Sequence, residues 1–121
     1  MKNQDSVDEL ARRFEKCQKV MTALGDQSRQ YLLLTMMKMN KCDGVRALEV
    51  VEQCNLSRPA VSHHLQILKE AGILKTRKEG TKIYYYFDRN MESLQELIQT
   101  LELARDITRQ IADPADAGTC N

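Results

Sequence analysis

The chain has 121 residues, of which 42% are hydrophobic and 29% charged, and its formal net charge is +1. This length suits one domain with one core, and the composition is ordinary for a soluble globular protein. No apolar run approaches 18 residues and the polar N-terminus lacks the apolar stretch of a secretion signal, so we expect a cytoplasmic protein with no membrane partner.

Helical periodicity predicts two helices in the first third of the chain. Apolar side chains recur every three or four residues from Ser6 to Leu24, and Gly25 ends that helix. Asp26 caps a second helix that runs to about Met39. The leucines and methionines of this second helix predict burial on most of its sides.

A short helix and a longer one follow, separated by a tight turn. Residues 45–53 are predicted to be helical, with Leu48 and Val51 facing inward. Ser57 is a good N-cap for the next helix, and Pro59 falls in its first turn, where a missing N–H costs nothing.

The segment after Gly72 predicts a β-hairpin and a final helix. Residues 74–78 and 82–87 form the two strands, and the Glu79-Gly80-Thr81 turn contains a glycine that can take positive φ. The final helix spans about residues 90–112.

These elements predict one domain over residues 6–112, mainly α with a small β-hairpin and about five helices. Residues 113–121 are expected to be a disordered tail. The sequence contains no serine–histidine–acid set, no Gly-rich phosphate loop and no carboxylate pair in a recognisable frame. We therefore expect no enzymatic activity, no catalytic residue and no cofactor.

Positive charge is concentrated around the second half of this predicted domain. The segment from Ser57 to Lys82 holds six Lys and Arg side chains and two Glu side chains, so it carries +4 and the rest of the chain −3. A local basic stretch on a nearly neutral protein is the footprint of a DNA-facing surface.

The helix that follows Ser57 has one apolar and one polar face. At 100° per residue, Leu65 and Leu68 lie within about 40° of Val61, and all three should be buried. The opposite face carries hydrogen-bonding side chains of moderate length, as a helix that reads the major groove requires. The predicted base-edge contacts come from Ser62, His63 and Gln66. The other predicted DNA contacts, mostly to phosphates, come from Ser57, Arg58, Lys69, Arg77, Lys78 and Lys82. The alternative is an ordinary amphipathic helix with a solvated polar face.

The adjacent His63 and His64 have different expected roles. Neighbouring residues lie about 100° apart on a helix, so the two rings do not chelate one metal well. We expect His63 to contact DNA and His64, at the edge of the buried face, to pack or to make a backbone contact.

Four motifs resemble those of one family of bacterial repressors. They are residues 24–29 (LGDQSR), residues 56–65 (LSRPAVSHHL), residues 68–74 (LKEAGIL), and residues 77–80 (RKEG) with three consecutive tyrosines shortly after. In order and spacing they resemble the ArsR/SmtB family. The resemblance implies a winged helix-turn-helix dimer that represses a promoter and releases it on sensing a signal. The rival hypothesis is a winged helix used only for protein–protein contact, which the cationic hairpin and the polar helix face argue against.

The predicted final helix carries an apolar stripe through Leu94, Ile98 and Leu101 in alternating steps of three and four residues. A winged-helix core can absorb only part of this surface. The resemblance places a homodimer interface on the first and last helices, which adds Leu10 and Phe14 to the predicted contacts. Two recognition helices about one DNA turn apart would then read an inverted repeat in a double-stranded operator. The alternative is packing within one chain.

The resemblance also allows two metal sites of the family to be checked. The positions of the cysteine pair near the start of the short helix hold Arg46 and Leu48. In the site along the last helix, Asp88 matches the first ligand, but Asn90 stands at the first histidine position and no histidine follows. We therefore predict no metal site of these two kinds.

The remaining candidates for a sensor are thiols. Cys54 and Cys17 lie at apolar positions and are expected to be packing residues, whereas Cys42 and Cys120 lie in a loop and in the tail and should be exposed. Cys17 and Cys42 are the best-placed thiols for a soft ligand such as As(III), in a site that bridges helices or subunits. The alternatives are an unrelated small-molecule inducer or no inducer.

Overall fold

The computed structural model describes residues 3–111, so the predicted tail over residues 113–121 lies outside the described residues. The elements are α1 (Asn3–Lys16), α2 (Gln18–Leu24), α3 (Gln27–Met39), α4 (Ala47–Gln53), α5 (Arg58–Glu70), β1 (Leu74–Glu79), β2 (Lys82–Phe87) and α6 (Glu92–Arg109). This mainly helical chain with one antiparallel hairpin confirms the predicted winged helix-turn-helix class.

The first predicted helix is two helices, which makes six in the described part of the chain rather than about five. The break is at Cys17, whose φ of −93° and ψ of 6° leave the α-helical region. Its backbone N–H donates to the carbonyls of both Arg13 and Phe14, at 3.1 Å each, which tightens the turn. The side chain of Cys17 contacts Thr100 of α6, so a contact between distant parts of the chain accompanies the break.

Several predicted boundaries and faces were wrong for identifiable reasons. The short helix begins at Ala47 rather than Val45, because Val45 pairs with Tyr85 of β2 as an isolated β-bridge. Val50 is the fully buried residue of α4, and Leu48 is exposed. The last helix begins at Glu92 rather than 90, after Met91 takes a left-handed conformation.

Helix α3 is less buried than its composition predicts. Leu32, Leu33 and Met36 lie in the core, but Tyr31 and Leu34 are exposed. A run of apolar residues without strong periodicity does not distinguish a helix with one exposed face from a helix that is buried on all sides.

The centre of the core lies under α5, where Val61, Leu65 and Leu68 are fully buried, as predicted. Helices α2, α3 and α4 and strand β1 all pack against α5. Because the buried face of α5 is fixed from several sides, its polar face has a defined orientation.

The hairpin is attached to the rest of the domain through the loop before α4. The Val45 and Tyr85 backbones exchange two hydrogen bonds of 2.8 Å. Gly44 sits beside this bridge with a φ of +100°, and a Cβ there would lie 3.0 Å from the Tyr85 carbonyl oxygen. Glycine is required here both by its backbone conformation and by the close approach of β2.

Within residues 3–111, none of the helices has the length and apolar character needed to cross a membrane.

Candidate nucleic-acid interface

The start of α5 is fixed by its own sequence. The Ser57 side chain, at the N-cap, accepts a hydrogen bond from the backbone N–H of Ala60 at 3.3 Å. Pro59 occupies the first turn. This cap sets where the helix begins and therefore which residues face outward.

The outward face of α5 is polar and accessible. All the α5 side chains predicted to contact DNA are exposed, as is Ser57 at the cap: Ser57, Arg58, Ser62, His63, Gln66 and Lys69. Gln66 is not free, since its side-chain amide donates to Glu70 at 3.0 Å. This competing hydrogen bond was not predicted from the sequence, although the spacing of four residues on a helix indicates it.

His64 is joined to α3 by a contact that the sequence analysis did not predict. Nη1 of Arg29 lies 3.3 Å from Nδ1 of His64. Arg29 is buried at the start of α3, where its backbone N–H donates to the Asp26 side chain. That hydrogen bond holds the pKa of Asp26 below its usual value.

The predicted wing residue Arg77 is partly exposed and is held against the protein by three contacts. Its guanidinium donates to the Asp43 carbonyl at 2.7 Å, pairs with Glu79 at 3.0 Å and lies 4.6 Å from the centre of the Tyr84 ring. Arg77 therefore ties the wing to the loop before α4, and much of its hydrogen-bonding capacity is already used.

The cations of the basic segment divide into two groups. Lys75 pairs with Asp88 at 3.7 Å and Arg77 with Glu79, so these two charges are partly neutralised within the protein. Among residues 3–111 the other four have no ion-pair partner; they are Arg58, Lys69, Lys78 and Lys82. On the hairpin, Lys78 and Lys82 flank the turn, with Lys82 opposite Glu79.

The residues predicted to form a dimer lie on adjacent helices. Helix α6 packs against α1, with Thr100 and Ile107 buried. Ile98 and Leu101 are 55% and 50% exposed on another side of α6. The remaining predicted contacts are half-buried: Leu10, Phe14 and Leu94. One chain therefore leaves part of the apolar stripe of α6 uncovered.

The two candidate thiols are in different surroundings. Cys17 is 2% exposed, and its Sγ lies 3.4 Å from the Thr100 hydroxyl. Cys42 is exposed and lines a cavity of about 470 Å³ with residues of α3 and β2. Cys17 borders a separate, smaller depression beside α6, so the fold of one chain does not bring the two thiols into a common cavity.

In the part of the chain that the structure describes, no three His, Cys, Asp or Glu side chains are grouped as a metal ion requires. Arg46 and Glu49, at the start of α4, bond to each other instead. The Arg46 backbone N–H donates to the Glu49 carboxylate at 2.9 Å, and this bond lowers the pKa of Glu49.

Comparison of the sequence with known proteins gives a consistent result. The family model described as bacterial regulatory protein, arsR family, matches residues 46–76. An uncharacterized HTH-type transcriptional regulator of Methanocaldococcus jannaschii is 33% identical over 74% of this chain and 98% of its own length. The transcriptional repressor SdpR of Bacillus subtilis is 35% identical over 54% of this chain and 69% of its own length.

Solved structures agree on the fold. The crystal structure of an ArsR family transcriptional regulator superposes with a TM-score of 0.64 over 81% of this chain and 95% of the other, at 16% identity. Reduced HlyU from Vibrio cholerae gives 0.53 over 77% and 95%, at 24% identity. The relatives are transcriptional regulators and not enzymes. The chain belongs to the ArsR family of DNA-binding, helix-turn-helix transcriptional regulators.

Proposed function

We propose that the protein is a homodimeric repressor that binds an inverted-repeat operator and is released from it by a signal. Helix α5 enters the major groove, where Ser62, His63 and Gln66 meet base edges. The observation that carries this proposal is the polar, exposed face of α5 beside a hairpin with two lysines, Lys78 and Lys82, that form no ion pair within residues 3–111.

The phosphate contacts are assigned mainly to the cations that form no ion pair within the described residues. The charges of Arg58, Lys69, Lys78 and Lys82, which no ion pair among the described residues occupies, can displace counterions from DNA. Arg77 keeps its predicted place at the interface, but with its guanidinium engaged by Asp43 and Glu79 it contributes more to wing orientation than to affinity. The repressor names of SdpR and of the arsenical resistance operon repressor of Staphylococcus aureus, which is 28% identical, support the direction of regulation.

The two groups of DNA contacts should respond differently to mutation. His63→Ala and Gln66→Ala are expected to cost about 1–3 kcal/mol on operator DNA and much less on random DNA. The Lys78→Ala/Lys82→Ala double variant should weaken both, and the salt slope should fall by about 0.9 for each phosphate that is no longer neutralised. Fluorescence anisotropy on promoter and random duplexes at several salt concentrations measures both effects.

Lys38→Ala is the matched control, because Lys38 is an exposed lysine of α3 outside α5 and the wing. It should leave the salt slope unchanged. Wild-type affinity for both duplexes in all the interface variants would refute the assignment and favour a protein–protein module.

The signal is proposed to act through thiols or through an unrelated small molecule, and not through zinc, nickel or cobalt. Zinc needs about four N, S or O ligands in a tetrahedral array. The reduced protein is titrated with Zn(II) while the fluorescence anisotropy of bound operator DNA is recorded. We expect no release of the DNA when the zinc concentration equals that of the protein. Release by zinc that survives Cys17→Ser and Cys42→Ser together would show that another site exists.

A further inference from the structure

Arg29 connects three helices through a buried guanidinium. The residue is 7% exposed and belongs to the first turn of α3. Its Nε donates to the Ala23 carbonyl at 2.9 Å and its Nη2 to the Thr22 carbonyl at 3.0 Å. Both carbonyls lie in the last turn of α2, where carbonyls lack the i+4 donor of a continuing helix, although the Thr22 carbonyl also accepts from the Gly25 N–H at 3.3 Å. Two nitrogens of the guanidinium, Nε and Nη2, therefore hold the Arg29 side chain in place.

The third nitrogen of the guanidinium, Nη1, favours one protonation state of the His64 ring. An arginine is always charged and can only donate hydrogen bonds, so Nδ1 of His64, 3.3 Å from Nη1, must be an acceptor without a proton. The remaining ring proton is then on Nε2. Burial lowers the pKa of His64; Arg29 and His63 act in the same sense, and Asp26 opposes them. The lowered pKa and the contact with Arg29 both favour the neutral ring with its proton on Nε2.

The position of His64 suggests what its remaining N–H does. The ring is half-buried on one flank of α5, between the buried face and the exposed His63, whose ring centre is 5.9 Å away. Roughly half to two-thirds of protein–DNA hydrogen bonds go to phosphate and sugar, and a side chain on the flank of α5, away from its most exposed face, is placed for such a contact. The nitrogen turned toward Arg29 is Nδ1, which leaves Nε2–H on the other edge of the ring.

We propose that Arg29 is a positioning residue that fixes His64 as its Nε2–H tautomer, and that this N–H donates to a phosphate oxygen of the operator. The inference rests on the DNA-binding role proposed above. It differs from that role in assigning a function to a buried side chain of α3 that cannot itself touch DNA.

Two substitutions of His64 separate the proposed contact from simple packing. In His64→Gln, the side-chain amide can place an N–H near the position of Nε2, whereas in His64→Asn a polar atom remains near Nδ1 and the distal donor is removed. We expect His64→Asn to weaken affinity about tenfold, the effect of one hydrogen bond, on operator and random DNA alike. His64→Gln should stay within about threefold of the wild type.

The salt slope gives a second criterion. A neutral donor displaces no counterion, so the slope should not change in His64→Asn, unlike in the Lys78→Ala/Lys82→Ala variant. The reverse ranking, with His64→Asn close to wild type and His64→Gln weakened, would show that only the contact with Arg29 matters and would overturn the phosphate contact. A loss confined to operator DNA would assign the N–H to a base edge and would also overturn it.

The role of Arg29 is tested by a double-mutant cycle and by NMR. Arg29→Lys should weaken DNA binding in the wild-type background but cause little further loss in His64→Asn, because both changes remove the same interaction. Additive losses would contradict the positioning role. In DNA-free, ¹⁵N-labelled protein, long-range ¹H–¹⁵N spectra should show His64 protonated at Nε2 alone, with a mixture of tautomers in Arg29→Lys.

These measurements distinguish failure of the proposed DNA-binding function from failure of the positioning role of Arg29. A wild-type protein that fails to bind any duplex removes both the proposed function and the phosphate contact, while the spectra still report whether Arg29 selects the tautomer. A wild type that binds DNA but shows a mixture of His64 tautomers overturns the role of Arg29 and leaves the proposed function intact.

Discussion

Leu101→Asp is expected to convert the proposed dimer into monomers at micromolar concentration. Leu101 is half exposed in a single chain and lies on the same side of α6 as Ile98. In a twofold-symmetric interface the same patch is used twice, so one substitution introduces two carboxylates. Burying a carboxylate without a partner costs several kcal/mol, and the substitution also removes the apolar contacts of Leu101.

Loss of the dimer should also weaken operator binding by about 10²-fold or more. A monomer contacts only one half-site, so the second contact is no longer made by the same molecule. Light scattering gives the mass and anisotropy the affinity. Gln99→Asp is the matched control: it places the same side chain on the same helix, at an exposed position away from the stripe. A wild type that is monomeric at micromolar concentration, or a Leu101→Asp protein that stays dimeric, would contradict the assignment.

The elements near the proposed interface could be predicted from local signals. The cap at Ser57, the proline in the first turn and the three-residue apolar face fixed both the start and the orientation of α5. The hairpin was predicted to within one residue, because Gly80 takes the positive φ that its turn requires. Each of these features depends on residues close together in the chain.

Several features that could not be predicted from the sequence depend on contacts between distant residues, unlike the local Gln66–Glu70 hydrogen bond. Periodicity made Ser6–Leu24 one helix, but the break at Cys17 faces Thr100, 83 residues away. The start of α4 was misplaced because Val45 pairs with Tyr85. Arg29 appeared only as part of a motif, since its contact with His64 spans 35 residues. No local propensity indicates such pairings.

Cys42 is expected to react with N-ethylmaleimide about 10³-fold faster than Cys17 in the reduced native protein. Cys42 is exposed, whereas Cys17 is 2% exposed and can be reached only when the protein opens locally. An opening that costs about 4 kcal/mol slows a reaction by this factor, since every 1.4 kcal/mol is about tenfold. Mass spectrometry of peptides after short labelling times measures the two rates separately.

Hydrogen bonding adds to the protection of Cys17. The Thr100 hydroxyl donates to the Glu96 carbonyl at 2.7 Å, so its contact with the sulfur is one in which the thiol donates. Thr100→Val keeps the shape of the side chain and removes this acceptor, and it should speed labelling of Cys17 without affecting Cys42. In guanidinium chloride both thiols should react at similar rates, which controls for the intrinsic reactivity of the peptides.

The result bears directly on the thiol sensor. Cys17 lies at the junction of α1 and α2, against α6, so a local opening that exposes its thiol disturbs helices proposed to form the dimer. Modification of Cys17 should therefore accompany dissociation, whereas modification of Cys42 should leave the dimer intact and reach the cavity beside the wing. Equal labelling rates in the native protein would mean that the α1–α6 contact opens readily, and Cys17 would then be the better candidate for the sensing thiol.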